Sequence, residues 1–261
     1  MRDYLANRDD VSPKLLSVCA FAHDHGYEYI WTDTCCIDKT SSAELSEAIN
    51  SMHTWYARSS VCYAYLQDVG DDEDPAMYGS QFRTSKWFTR GWTLQELVAP
   101  RNVVFLSQQW SVLGTKASLE TVIEEITGID GDVLTHQTAL HSVSVAQRMS
   151  WAAERETTRV EDRAYSLLGV FGIHMPTIYG EGDQAFVRLQ EEILRRIPDQ
   201  TLFAWGRTLS CSSGYDLADF SARLINNSAR RQYASSYLFA SSPTEFNGAV
   251  ASYAQIGRAH V

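Results

Sequence analysis

The chain has 261 residues, 44% of them hydrophobic, 21% charged and 11% aromatic. That composition excludes a disordered chain and provides a core that needs neither disulfides nor a structural metal. The 22 basic against 32 acidic residues give a net charge of −10, which argues against nucleic-acid partners. The longest apolar run, about 167–173, is far short of a membrane span.

The five cysteines, Cys19, Cys35, Cys36, Cys62 and Cys211, have no metal-binding spacing. They read as reduced, structural residues, so no metal and no bound cofactor is expected, and a cytoplasmic location is the default. If a strand ran on through Cys35 and Cys36, their side chains would point to opposite sides. Residues 1–11 are charged and unlike a signal peptide. Residues 256–261 back-translate to the start of a common sequencing adapter and are set aside as read-through.

Ser12–His25 begins Ser-Pro and carries apolar residues at helical spacing, which predicts a capped helix. Tyr27–Thr34 alternates β-favouring residues and predicts a strand ending at Asp33. A second helix runs from Ser41 to about Ala57, with Leu45, Ala48, Ile49, Met52 and Tyr56 on one face. Val61–Leu66 and Val103–Leu106 read as strands, 70–79 as an acidic loop, and 85–98 as helical in its second half before Pro100. Further helices are predicted over 118–127, 145–154, 160–171 and 183–196, with a short strand at 201–205. The alternation up to residue 127 implies a parallel α/β sheet, followed by a mainly helical C-terminal part. Beyond 206 the chain turns Ser-rich and weakly periodic.

Several ordered strings are more specific. Tyr29-Ile-Trp-Thr-Asp-Thr-Cys-Cys-Ile-Asp-Lys39 is followed by Trp87-Phe-Thr-Arg-Gly-Trp-Thr-Leu-Gln-Glu-Leu97 and Ser144-Val-Ala-Gln-Arg-Met-Ser-Trp151. Glu161-Asp-Arg-Ala-Tyr-Ser-Leu-Leu-Gly169 and Met175-Pro-Thr-Ile-Tyr-Gly-Glu-Gly182 come next. In this order they resemble the fungal heterokaryon-incompatibility (HET) domain, of the branch fused to nucleotide-binding (NACHT) and WD-repeat modules. The resemblance implies a role in non-self recognition, innate immunity and programmed cell death, with self-association or other recognition proteins as partners. It implies a HET domain over 1–205 and an extension over 206–255. HET domains open with a Leu-Ser-His-x-Trp-Gly-like strand that is not found here, so the domain is expected to lack its first strand.

HET domains in turn resemble TIR domains, some of which cleave NAD. That implies a TIR/flavodoxin-like sheet, and Trp92-Thr-Leu-Gln-Glu96-Leu97 matches the TIR string that carries the key glutamate. On this resemblance Glu96 is the catalytic candidate, with NAD as substrate and Asp33, Ser85 and Trp92 as nucleotide-binding candidates. Trp92 and Glu96, four apart, share a helix face. A carboxylate suits the chemistry, because breaking the nicotinamide–ribose bond builds positive charge on the sugar. A scaffold role also fits the string, with Trp92, Leu94 and Leu97 in the core and Glu96 paired with Arg90 or Arg101. The corresponding functional alternative is a non-catalytic signalling module acting by self-association.

Weaker signals have local readings. Tyr179-Gly-Glu-Gly182 can cradle a phosphate or simply turn the chain into the next helix. His23 and His25 read as helix-end residues, and 155–163 as a salt-bridged connection.

Overall fold

A computed structural model of the chain describes residues 12–72, 74–205 and 239–247. Ser12 accepts from the Leu15 amide and Pro13 occupies the first turn, so helix α1 spans Pro13–Asp24 as the sequence predicts. Helix α3, Ser42–Arg58, starts in the same way: Ser41 Oγ accepts from the Glu44 amide, and Glu44 reaches back to the Asp38 amide at 2.8 Å. Ala48, Ile49 and Met52 form its buried face.

The strand expected at Tyr27–Thr34 is not formed. Residues 27–32 have no ladder, and Asp33–Cys36 winds into the short helix α2. A strand persists only where a neighbour takes up its backbone groups, and no described strand pairs with this segment. Its aromatic residues pack sideways instead: Tyr27 meets Tyr63 at 6.4 Å, and Trp31 meets Trp55 at 5.4 Å and Tyr56 at 5.7 Å between ring centroids. Cys35 and Cys36 therefore do not alternate across a strand. Their sulfurs lie 3.8 Å apart.

The sheet is small and mixed, in the order β1-β2-β3. Strand β1, Cys62–Tyr65, pairs in parallel with β2, Val103–Leu106. Strand β3, Val112–Thr115, then returns antiparallel to β2, so the expected all-parallel sheet is corrected. The sequence hides β3 because it has four residues, one of them Gly114, and its pairing is irregular at Phe105/Leu106. Cys62 and Ala64 point into the core while Tyr63 and Tyr65 face outward. Phe21 of α1 lies edge-on to Tyr63 at 5.2 Å.

The crossover from β1 to β2 carries a 3-10 turn, Lys86–Thr89, and the short helix α4, Thr93–Val98. Trp87 and Phe82 both pack edge-on against Phe105 of β2, at 5.5 and 5.3 Å. Each such aromatic pair contributes about 0.5–1.5 kcal/mol beyond the area it buries. Helices α5, Glu120–Thr127, α6, Gly131–Leu134, and α7, Val145–Ser150, follow the sheet in the chain. The helix expected over 160–171 is two short ones, α8, Asp162–Tyr165, and α9, Leu168–Phe171, which ends where Gly172 adopts φ 65°.

Helix α10, Gln184–Arg196, turns Ala185, Phe186, Leu189 and Ile193 inward. The strand expected at 201–205 is replaced by a 3-10 turn, Gln200–Phe203. Asp199 causes this by accepting from the amides of Thr201 at 2.8 Å and Val145 at 2.7 Å, which winds the segment into a cap for α7. No helix among the described residues is long and apolar enough to cross a membrane.

Candidate functional site

Helix α4 is fixed from below. Leu94 and Leu97 have no exposed surface, and the buried Gln95 donates to the Ser166 carbonyl at 2.7 Å. At its C-terminal end, fully buried Lys116 donates to the carbonyls of Leu97 and Pro100 and meets His136 Nε2 at 3.3 Å. Burial lowers the Lys116 pKa to about 8. With the helix pinned on both sides, the half-buried Glu96 side chain has a defined direction.

The Glu96 carboxylate receives hydrogen bonds from the Tyr56 hydroxyl of α3 and the Trp87 indole. It takes part in none of the ion pairs among the described residues. Burial raises its pKa, the nearby Asp33 charge raises it further, and Arg90 with the two hydrogen bonds opposes them, leaving it at about 7. The Tyr56 hydroxyl is pushed up in turn, by burial first and then by Glu96. Arg155 supports the site from beneath, donating through Nη1 to the Arg90 carbonyl and Thr93 Oγ1, both at 3.0 Å. Its Nη2 has no hydrogen-bond partner; burial lowers its pKa to about 10, against the attraction of Glu96.

Of the residues singled out by sequence, Asp33 and Glu96 are brought close enough for their charges to couple. Asp33 does so from the start of α2, not from a strand end, and pairs with Lys39 at 3.7 Å. Trp92 shares the α3-facing side of the site, packing against the cluster of Ile37, Ala48 and Met52, while its indole bonds Asp162. Ser85 stands apart: it is buried, donates to Asp68 Oδ1 at 2.7 Å and caps the turn that carries Trp87. Sequence reasoning missed Trp87 and Arg155, and it placed Tyr56 only on the core face of its helix.

Beside Trp87, a cleft of about 460 Å³ opens at the carboxyl end of β1, lined by Lys14, Tyr65, Gln67, Lys86, Trp87 and Arg90 among others. Ligands of open α/β sheets sit at this end of the strands. Tyr179-Gly-Glu-Gly182, by contrast, is already filled. Glu161 accepts from the amides of Gly180 and Gly182 at 2.7 and 3.1 Å, so the loop cradles the chain's own carboxylate. The 155–163 stretch works likewise through specific contacts, with Asp162 accepting from the Tyr179 hydroxyl at 2.9 Å and Arg163 facing Asp183 at 3.8 Å. His25 is a helix-end residue, its Nδ1 meeting the Phe21 carbonyl at 2.7 Å. No cluster of three or more metal-ligating side chains occurs among the described residues.

Residues 3–81 match the model of the heterokaryon incompatibility protein (HET) family. The chain is also 49% identical over 174 residues to vegetative incompatibility protein HET-E-1 of Podospora anserina. The chain is thus similar to fungal HET-domain proteins. The match to HET-E-1 takes in 64% of this chain but only 13% of HET-E-1, so the chain spans a small part of its relative. Residues 184–261 match a second family, described as a domain of unknown function (DUF8212), which begins with α10. No solved structure matches the chain.

Proposed function

We propose that this HET domain is an effector of fungal non-self recognition that triggers cell death by cleaving the nicotinamide–ribose bond of NAD, with Glu96 as the catalytic carboxylate. The observation that carries the reading is the state of Glu96: half-buried, held by two neutral donors, and in no ion pair among the described residues, with Arg90 and Arg155 acting on it only from beyond contact. A carboxylate neutralised by a salt bridge has little field left for a developing cation. One held on neutral hydrogen bonds in a partly dry site retains it. As nicotinamide leaves, the ribose gains oxocarbenium character, which the ionised Glu96 stabilises. Asp33 adds a second negative charge from the solvent side.

The measurement is NAD loss and nicotinamide release by the wild type and by Glu96→Gln at matched folding. The substitution is expected to lower turnover on the order of 10²–10³-fold, the loss typical of one preorganised electrostatic group. A wild type that releases no nicotinamide contradicts the enzymatic reading. Equal rates in both proteins remove Glu96 from the mechanism and leave Asp33 as the next acid to test.

A second reading is a non-catalytic signalling module that self-associates. It is supported by the exposed aromatics Tyr29 and Trp55, with Trp31 packed against Trp55. Sedimentation of the wild type and Trp55→Ser tests it: a concentration-dependent oligomer that the substitution abolishes is the result it requires.

A further inference from the structure

The cleft at the end of β1 is unusual for so acidic a chain. Three cations line it, Lys14 from α1 and Lys86 and Arg90 from the 3-10 turn and its end, and none of the ion pairs among the described residues uses any of them. Lys14 lies over the Tyr65 ring, its Nζ 4.8 Å from the centroid. All three side chains belong to exposed residues, so they are hydrated and ready to exchange water for an anion.

The acid in the cleft, Asp68, has both oxygens engaged. Oδ1 accepts from Ser85 Oγ at 2.7 Å, and Oδ2 accepts from the Lys86 amide at 2.8 Å. It thus fastens the turn that presents Lys86 and leaves the lining with a surplus of positive charge. A second cavity, about 320 Å³ and lined by Arg188, Arg195 and Arg196, shows the contrast. There Arg188 pairs with Glu181, and Arg195 and Arg196 pair with Glu192. Those arginines are neutralised at home.

We infer that the cleft bounded by Lys14, Lys86 and Arg90 is a binding site for a diphosphate group, with Tyr65 and Trp87 as its aromatic walls. Two lysines supply point charges, and Arg90 supplies a planar fork suited to two phosphate oxygens. Trp87 and Arg90 also border Glu96, so a dinucleotide anchored here by its diphosphate has its ribose directed toward that carboxylate. This last step rests on the NAD reading, whereas the anion site itself does not.

Calorimetric titration of the full chain with inorganic pyrophosphate, and separately with ADP, tests the site at low salt. Saturable binding of both is expected, weakening as ionic strength rises. Lys14→Gln, Lys86→Gln and Arg90→Gln are each expected to weaken it about tenfold, the loss of one charge-assisted contact. Arg195→Gln, in the neutralised cavity, is expected to leave it unchanged. Failure of the wild type to bind pyrophosphate overturns the site, as does undiminished affinity in the three cleft variants with unchanged melting curves. ADP binding without pyrophosphate binding also overturns it, since the base and not the diphosphate would then be recognised. The anion site stands apart from the Glu96 chemistry on this account. Pyrophosphate binding by a wild type that releases no nicotinamide therefore sinks the NAD reading alone, and nicotinamide release unaffected by the cleft substitutions overturns the placement of the dinucleotide in this cleft.

Discussion

Trp87 stands between two chemical environments: its indole N–H bonds the Glu96 carboxylate, while its ring forms a wall of the cleft at the end of β1. The ring is held edge-on against Phe105, so the donor's position is set by the sheet and not by the site. An electrostatic group is useful only where its neighbours are fixed before the substrate arrives. This pairing is the structural link between the sheet and the proposed chemistry.

The Glu96 site has a signature in stability. Its pKa is raised from 4.5 to about 7 by burial and by Asp33, so the folded protein binds a proton there that the unfolded chain has lost. The stabilisation is present below about pH 4.5 and is lost as pH rises through 7. Melting curves of the wild type and Glu96→Gln across this range are expected to show the variant gaining on the wild type as pH rises, and the most favoured at pH 8. A Glu96 that stabilises the fold would give the opposite slope.

Trp87→Phe keeps the ring but removes the donor, and Tyr56→Phe does the same on the other side. Each loss favours protonated Glu96, so each variant is expected to shift its titration to higher pH. Carboxyl ¹³C NMR of Glu96 measures the midpoint directly. An unchanged midpoint in both variants means that these hydrogen bonds do not hold the carboxylate.

Gly169 has no room for a side chain. A Cβ there would lie 2.1 Å from His53 Cβ of α3 and 2.8 Å from Gln95 Oε1, where α9 crosses α3 and α4. Gly169→Ala is expected to cost about 1–3 kcal/mol by overpacking. Denaturant unfolding checks it, and a neutral result would show that α3 can move away from the site.

Lys116→Met tests the support under α4. It leaves the buried Leu97 carbonyl without its donor, at about 1–3 kcal/mol, while the Pro100 carbonyl keeps its contact with His136 Nε2 at 3.1 Å. Because the folded Lys116 pKa is lowered to about 8, wild-type stability from this group is expected to rise between pH 8 and about 10.5 as the buried charge is shed. The variant is expected to lack that rise in unfolding curves.

Much of this was legible in the sequence. The start of α1 showed in Ser12-Pro13 and that of α3 in Ser41 with Glu44, because caps are local chemistry. Strands were less legible. Tyr27–Thr34 has strand composition but no described neighbour to pair with, while β3 has little strand composition and pairs with β2 nonetheless. Pairing is a property of the fold and not of the segment. The string singles out Glu96 as a candidate, yet its partners Tyr56 and Trp87 come from 40 and 9 residues away, and no periodicity reports such a convergence. The amides of Gly180 and Gly182 looked open in sequence because Glu161, which fills them, is brought in by tertiary packing.

The pH dependence of nicotinamide release tests the central claim most directly. If ionised Glu96 stabilises the departing ribose cation, the rate is expected to rise with pH to a plateau, with a midpoint near 7, and the midpoint is expected to move upward in Trp87→Phe. A profile flat from pH 5.5 to about 8.5, or one with its midpoint near the ordinary glutamate value of about 4.3, would contradict the account.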